Sequence, residues 1–158
     1  MGDCLLLNGD IFDFWFAYSR LIPRVGFHVA AEIRRVRKRM PVAMVGGNHD
    51  RWGEDFWERD LDVRFAPVRM ELRVGDRRVL AIHGDGVTES HWSAVLLQRI
   101  TRNPAFVTMW KHAPTAFAFW VVDRMTHSLG NTVREDEILR AASERQRAWG
   151  EAQLAQDP

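Results

Sequence analysis

Cysteine is almost missing from this chain: Cys4 is the only one in 158 residues. An internal disulfide framework and a thiolate metal cluster are thereby excluded, and the scarcity fits a reducing compartment. Long hydrophobic runs are missing as well. No stretch reaches about 18 uninterrupted apolar residues, so no standard membrane-spanning helix is expected. Met1-Gly2-Asp3 carries no basic leader ahead of an apolar core, and no signal peptide is expected. Neither sign of charge dominates, with 22 basic against 21 acidic residues and a net charge of +1. That balance argues against nucleic acid held by an overall positive field. There is no internal repeat and no low-complexity tract.

Aromatic residues are abundant, apart from a single tyrosine. Seven tryptophans and nine phenylalanines are present, many of them near residues 12–16 or within residues 106–122. Apolar content of 46% with 27% charged residues is ordinary for a globular domain.

Residues 4–7 are a continuous apolar run and predict a short strand covered on both faces. An irregular aromatic loop follows, through Phe12, Phe14, Trp15 and Phe16. Val25, Val29, Ile33, Val36 and Met40 recur at spacings of three and four, which predicts a helix over residues 25–40. Arg34, Arg35, Arg37, Lys38 and Arg39 crowd its other face and last turns, and Pro41 ends it. Residues 42–45 are a second apolar strand. This strand–loop–helix–strand order implies a parallel sheet with a right-handed crossover.

Further along, residues 53–60 read as a short surface helix and residues 63–65, 68–74 and 78–82 as strands, the last two joined across Gly75-Asp76. The alternation of Val68, Met70, Leu72 and Val74 predicts one apolar face. Residues 90–128 are mainly helical in pattern, interrupted at Asn103-Pro104 and Ala113-Pro114. After a break at Gly130-Asn131, residues 133–149 read as a polar amphipathic helix. The expected organisation is an α/β core over 1–86, a helical insertion or cap over 87–130, a helix returning to the core over 131–149, and a polar tail over 150–158.

Chemistry gathers at three strand ends: Gly9-Asp10, Gly47-Asn48-His49-Asp50 and His83-Gly84-Asp85. Loops beyond the C-terminal ends of parallel strands converge in open α/β sheets. Taken singly, Gly-Asp is a turn or cap, Gly46-Gly47-Asn48 a left-handed turn, and His83 an interior histidine. Their repetition at successive strand ends favours a metal site. A carboxylate from Asp10 can bridge two cations, while the Asn48 amide oxygen and the His83 imidazole add neutral donors suited to Mn²⁺, Fe²⁺ or Zn²⁺. Two such ions roughly 4 Å apart activate water and neutralise phosphoryl oxygens. His49 is the candidate to contact a phosphate oxygen or the leaving group, with Asp13 orienting it. Arg51 and Trp15, beside these motifs, are substrate-binding candidates.

The order Gly-Asp-x-x-Asp, Gly-Asn-His-Asp and His-Gly-Asp resembles the calcineurin-like metallophosphoesterases. The resemblance implies that Asp10 bridges the metals, that Asn48 and His83 ligate one of them, that His49 assists the transition state, and that Asp13 is its partner. The fold implied is a layered α/β/β/α sandwich, here incomplete, with a helical cap insertion. The longer block Gly9-Asp10-Ile11-Phe12-Asp13-Phe14-Trp15-Phe16, with Gly47-Asn48-His49-Asp50-Arg51-Trp52 and His83-Gly84-Asp85-Gly86, is similar to the UDP-2,3-diacylglucosamine diphosphatases. That likeness implies hydrolysis of the pyrophosphate in a nucleotide-linked glycolipid during lipid A synthesis, two divalent ions (usually Mn²⁺), and a cytoplasmic location reaching the inner-membrane surface. It implies a cap that helps enclose acyl chains. The aromatic helical block reads either as an ordinary helix pair seated on the sheet or as a surface that lines an acyl pocket or touches the bilayer interface, with Arg99, Arg102, Lys111 and Arg124 near phosphates.

The family pattern also includes an Asp-x-His block upstream and a Gly-His-x-His block downstream, and neither occurs in these 158 residues. An internal fragment of a family member is therefore expected, self-associating through unpaired strand edges. Two alternatives stand beside the glycolipid reading: a phosphoesterase with a soluble monoester or diester substrate, and a non-catalytic module that binds metal weakly or offers an interaction surface.

Overall fold

Strand β2, Val42–Val45, supplies both faces of the core. In the computed structural model, which describes residues 3–16, 18, 21–53, 55–85, 92–118, 120–121, 124 and 136–156, Val42, Met44 and Val45 are all buried. Successive side chains of a strand point to opposite faces. Val42 and Met44 enter one cluster, with Ala30, Ile33, Phe12, Trp15 and Trp57. Val45, with Ala43, enters the other, against Met70, Ala81 and Leu72. A strand covered on both sides reads as an unbroken apolar run, and Val-Ala-Met-Val is one.

The chain divides into two compact units, Met1–His83 and Gly84–Pro158. In the first, β1 (Leu5–Asn8), β2 and β3 (Arg64–Ala66) form a parallel sheet in that order. Leu5 stands opposite Val42, and Ala43 opposite Arg64. Helix α1 (Phe27–Arg37) packs on one face of this sheet. The antiparallel hairpin β4 (Arg69–Val74) and β5 (Arg77–Ile82), turning at Gly75-Asp76, packs on the other. The result is a mixed α/β architecture of helix, sheet and hairpin layers, consistent with part of the expected sandwich.

The core corrects three expectations. Helix α1 buries Ala30 and Ile33, whereas Val25 and Val29 are exposed. The helix begins only at Phe27, after Gly26 in a left-handed conformation (φ 86°), so Val25 precedes the helical repeat. A methyl group on Gly26 would lie 2.5 Å from the Phe12 ring, so glycine lets the aromatic loop reach the helix start. The short surface helix expected over residues 53–60 is, among the described residues, a single π turn, Phe56–Asp60, that leaves Glu58, Arg59 and Asp60 exposed but drives Trp57 to complete burial. Trp57 lies 5.5 Å from Phe12, 5.2 Å from Trp15 and 6.1 Å from Phe65, ring centre to ring centre. The predicted apolar face of β4 is real only in its middle: Met70 is buried and Leu72 half-buried, while Val68 and Val74 at the ends are exposed.

The second unit is helical among its described residues. Helix α2 (Trp92–Arg102) stops at Asn103, whose side chain accepts the Ala105 amide at 2.8 Å and caps α3 (Pro104–Lys111). Proline at the first helical position needs no hydrogen-bond acceptor, so the expected interruption at Asn103-Pro104 is a helix start. Residues 115–118 are helical again after Pro114. The last helix, α4 (Asp136–Gln156), continues through Gly150 where a polar tail was expected. An Arg147–Glu151 pair at 2.9 Å, one helical turn apart, spans that glycine. Phe119, Gly86 and residues 125–135, which carried parts of the expected cap and break, lie outside the described residues. No helix among the described residues is long and apolar enough to cross a membrane.

Trp57→Ala is expected to cost about 3–5 kcal/mol, the range for emptying a buried tryptophan site, whereas Val74→Ala at an exposed strand end changes stability by about 0.5 kcal/mol or less. Urea denaturation of both variants checks the contrast. Burial raises the Tyr18 hydroxyl above its ordinary value, so the fold favours the neutral phenol. That contribution is present below the ordinary tyrosine range and is lost as pH climbs through the raised value. Tyr18 is the only tyrosine, so tyrosinate absorbance against pH reads this one group directly.

Candidate functional site

Strand β1 ends at Asn8, and the chain then turns sharply through two left-handed residues, Gly9 (φ 78°) and Asp10 (φ 51°). Aspartate tolerates that conformation better than most residues. The neighbouring strand β2 ends in Gly46-Gly47. The two loops approach so closely that a Cβ on Gly47 would sit 2.0 Å from Asp10 Oδ1. A Cβ on Gly9 would sit 2.5 Å from His83 Nδ1. Glycine is thus required where Asp10, the Asn48 loop and His83 come together.

Asp50 locks the arrangement. Its carboxylate is fully buried, with Oδ2 accepting the Ile11 amide at 2.7 Å and Oδ1 accepting the Gly47 amide at 2.7 Å. One carboxylate therefore holds both the residue after Asp10 and the residue before Asn48. The Asp50 carbonyl accepts the Trp57 indole N–H at 3.2 Å, tying the loop to the aromatic core. Sequence reasoning placed no role on Asp50. Its only signal was a carboxylate directly after the Asn-His pair.

Around this lock, Asp10 Oδ1 accepts the His49 amide at 3.0 Å, which puts Asn48 one residue from the Asp10 carboxylate. Asp10 Oδ2 lies 3.1 Å from His83 Nε2. On the other side of the ring, His83 Nδ1 is 3.0 Å from the Asn8 carbonyl. Both ring nitrogens of His83 thus face groups that only accept. A neutral imidazole has one N–H and can donate to only one of these two acceptors. With Nδ1–H donated to Asn8, the Nε2 lone pair is left toward Asp10, an arrangement common for metal-bound histidine. Two donors each about 2.1 Å from a shared ion, at right angles, lie about 3 Å apart. The Asp10–His83 separation therefore fits neighbouring ligands of one cation, and Asn48, an exposed residue, precedes the His49 amide that Asp10 accepts. Among the described residues, no three His, Cys, Asp or Glu side chains form a metal-holding group by themselves.

The remaining candidates separate. His49 Nδ1 contacts the Asp13 backbone carbonyl rather than its carboxylate. Asp13 thus holds the ring through its main chain. Arg51 Nε donates to the Gly47 carbonyl at 3.0 Å, bracing the Asn48 loop. Trp15 is a core residue, only 1% exposed and packed at 4.6–5.2 Å ring distances among Phe12, Phe56 and Trp57, so it has no surface to offer a substrate. Its amide instead donates to the His49 carbonyl at 2.7 Å, joining the two loops. Arg99, Arg102, Lys111 and Arg124 belong to the second unit. There Arg102 pairs with Asp85 at 3.3 Å, and Arg99 and Arg124 are exposed.

The model of a family described as calcineurin-like phosphoesterase matches residues 2–146. A curated relative, the UDP-2,3-diacylglucosamine hydrolase of Porphyromonas gingivalis, is 26% identical over 98 residues, which are 61% of this chain and 37% of that protein. The chain thus spans well under half the length of the relative it matches.

Asp50→Asn turns one acceptor oxygen into a donor facing a backbone amide, and is expected to destabilise the first unit by about 1–3 kcal/mol, measured by denaturant titration. Gly47→Ala, with no room for its methyl, should separate the Asp10 and Asn48 loops. Its nuclear magnetic resonance signature is loss of the hydrogen-bonded His49 amide.

Proposed function

The chain belongs to the calcineurin-like phosphoesterase family, and from that premise we propose that it carries one end of a two-metal site of a hydrolase acting on the pyrophosphate of a nucleotide-linked, diacylated glucosamine. The observation that carries the hydrolase reading is the contact of Asp10 Oδ2 with His83 Nε2 at 3.1 Å, one residue from Asn48 by way of the His49 amide. The glycolipid reading is supported by the named relative, and by the resemblance of the blocks Gly9–Phe16 and Gly47–Trp52 to the UDP-2,3-diacylglucosamine diphosphatases.

Asp10, Asn48 and His83 would hold a divalent cation. When bound, divalent ions there supply Lewis-acid charge and an activated water. The protein's own contributions can be stated separately. Asp50 and Arg51 keep the Asn48 loop rigid, so the donors need no reorganisation as charge builds on phosphorus. His49, held at Nδ1 by the Asp13 carbonyl, can present Nε2 to a phosphoryl oxygen or protonate the leaving group.

The second unit supports a lipid substrate and an inner-membrane surface as partner. Phe106, Trp110, Phe117 and Trp120 form a run of ring contacts at 5.6–6.3 Å. Phe117 is 51% exposed and Trp120 62%, and Arg99 and Arg124 are exposed on the same unit. Aromatic rings with nearby basic groups suit the headgroup region of a bilayer.

With Mn²⁺ present, the full-length protein is expected to release UMP from UDP-2,3-diacylglucosamine. Hydrolysis of soluble phosphomonoesters or diesters alone would instead establish the soluble-substrate alternative. His49→Ala should lower kcat by about 10²–10⁴-fold with Mn²⁺ affinity little changed, whereas His83→Ala should lose the metal. Calorimetric titration with Mn²⁺ separates the two effects, and absence of any binding by the complete protein would favour a non-catalytic module.

A further inference from the structure

The two side chains that meet at the candidate site stand on different sheets. Asp10 follows β1 of the parallel sheet, and His83 follows β5 of the hairpin. Strand β1 pairs with β2, and β5 pairs with β4. No ladder joins β1 to β5 among the described residues. Hydrophobic contact between the layers is not directional and leaves the ends of the two strands free to slide relative to each other. Something polar has to set their alignment.

We propose that Asn8 is the positioning residue for His83, clasping the two sheets so that His83 presents Nε2 to the same point as the Asp10 carboxylate. The clasp has two halves. The Asn8 side chain donates through Nδ2 to the Ile82 carbonyl at 2.8 Å, and the Asn8 carbonyl accepts from His83 Nδ1 at 3.0 Å. One residue thus holds both the backbone before His83 and the ring of His83. The first contact fixes the position of the β5 end, and the second fixes the tautomer. The asparagine is needed for the first half. Aspartate in the same place has no donor and would set a carboxylate against a carbonyl, and alanine would leave the Ile82 carbonyl without this partner. Gly9, next in the chain, has no Cβ to block the ring, since one would fall 2.5 Å from Nδ1. Asn8 is itself exposed, so its amide is not retained for core packing.

This inference rests on His83 being a ligand, as proposed above, and two readouts keep the two ideas apart. The first is Mn²⁺ titration of wild type, Asn8→Ala and Asn8→Asp by calorimetry. A dissociation constant about ten- to a hundredfold higher in both variants is expected, the usual effect of removing a group that orients a ligand. The thermal midpoint should fall by only about 2–4 °C, as for loss of one exposed hydrogen bond. The second needs no metal: nitrogen–proton correlation spectra of the imidazole at alkaline pH. Wild type should show the proton of His83 on Nδ1, and Asn8→Ala, which keeps the residue-8 carbonyl but no longer holds the β5 end against it, a mixture of both tautomers. An unchanged tautomer in Asn8→Ala overturns the proposal, as does unchanged affinity when wild type binds Mn²⁺. If wild type binds no Mn²⁺, the metal reading fails and the tautomer spectra alone decide the role of Asn8.

Discussion

A buried carboxylate is the constraint on which the rest of this structure depends. Asp50 has no exposure to solvent, and a carboxylate out of water is costly unless its oxygens are satisfied. Each oxygen takes a backbone amide, one from the loop after β1 and one from the loop after β2. The cost of burying the group thereby becomes a cost of moving either loop. Asp10 and Asn48 lie beside those two amides, so the same interaction that keeps Asp50 stable sets where the candidate ligands stand.

The lock works because the chain around it is thin. Gly47 lets Asp10 approach to a distance that any side chain would prevent, and Gly9 does the same for the His83 ring. Behind the loops, Phe12, Trp15, Phe56 and Trp57 form a rigid aromatic block, and Trp57 reaches back to the Asp50 carbonyl. Trp15, a substrate-binding candidate in sequence, is instead part of the foundation of the site. Trp15 shows the distinction: its ring belongs to the core, while its backbone amide holds the His49 carbonyl.

Much of this was legible in the residues. Short apolar runs ending in Gly and polar donors located β1, β2 and β5 within a residue or so. For β2 the reason is that a parallel strand buried on both faces must be apolar throughout. By contrast β1, expected to be covered on both faces, leaves Leu6 exposed, and β5 lies in an antiparallel hairpin. Asn103-Pro104 marked a helix boundary for equally local reasons. The π turn at Phe56–Asp60 was not legible, since spacing alone cannot tell a helix that lies on the surface from one extra-wide turn that buries a tryptophan. Nor was the exposure of Val25 and Val29, because an apolar periodicity says that a face exists and not where the helix starts.

What the sequence by itself determined is the chemistry available: a carboxylate, an amide and two imidazoles at successive strand ends, enough to identify the family. Tertiary structure decided the assignments within it. It made Asp50 the lock, moved Asp13's contact from its carboxylate to its carbonyl, withdrew Trp15 into the core, and gave Asn8 a hold on His83. Each of these depends on distances between residues up to 75 positions apart. Local pattern carries no information about such distances, because they are set by how sheets, helix and loops pack around one another.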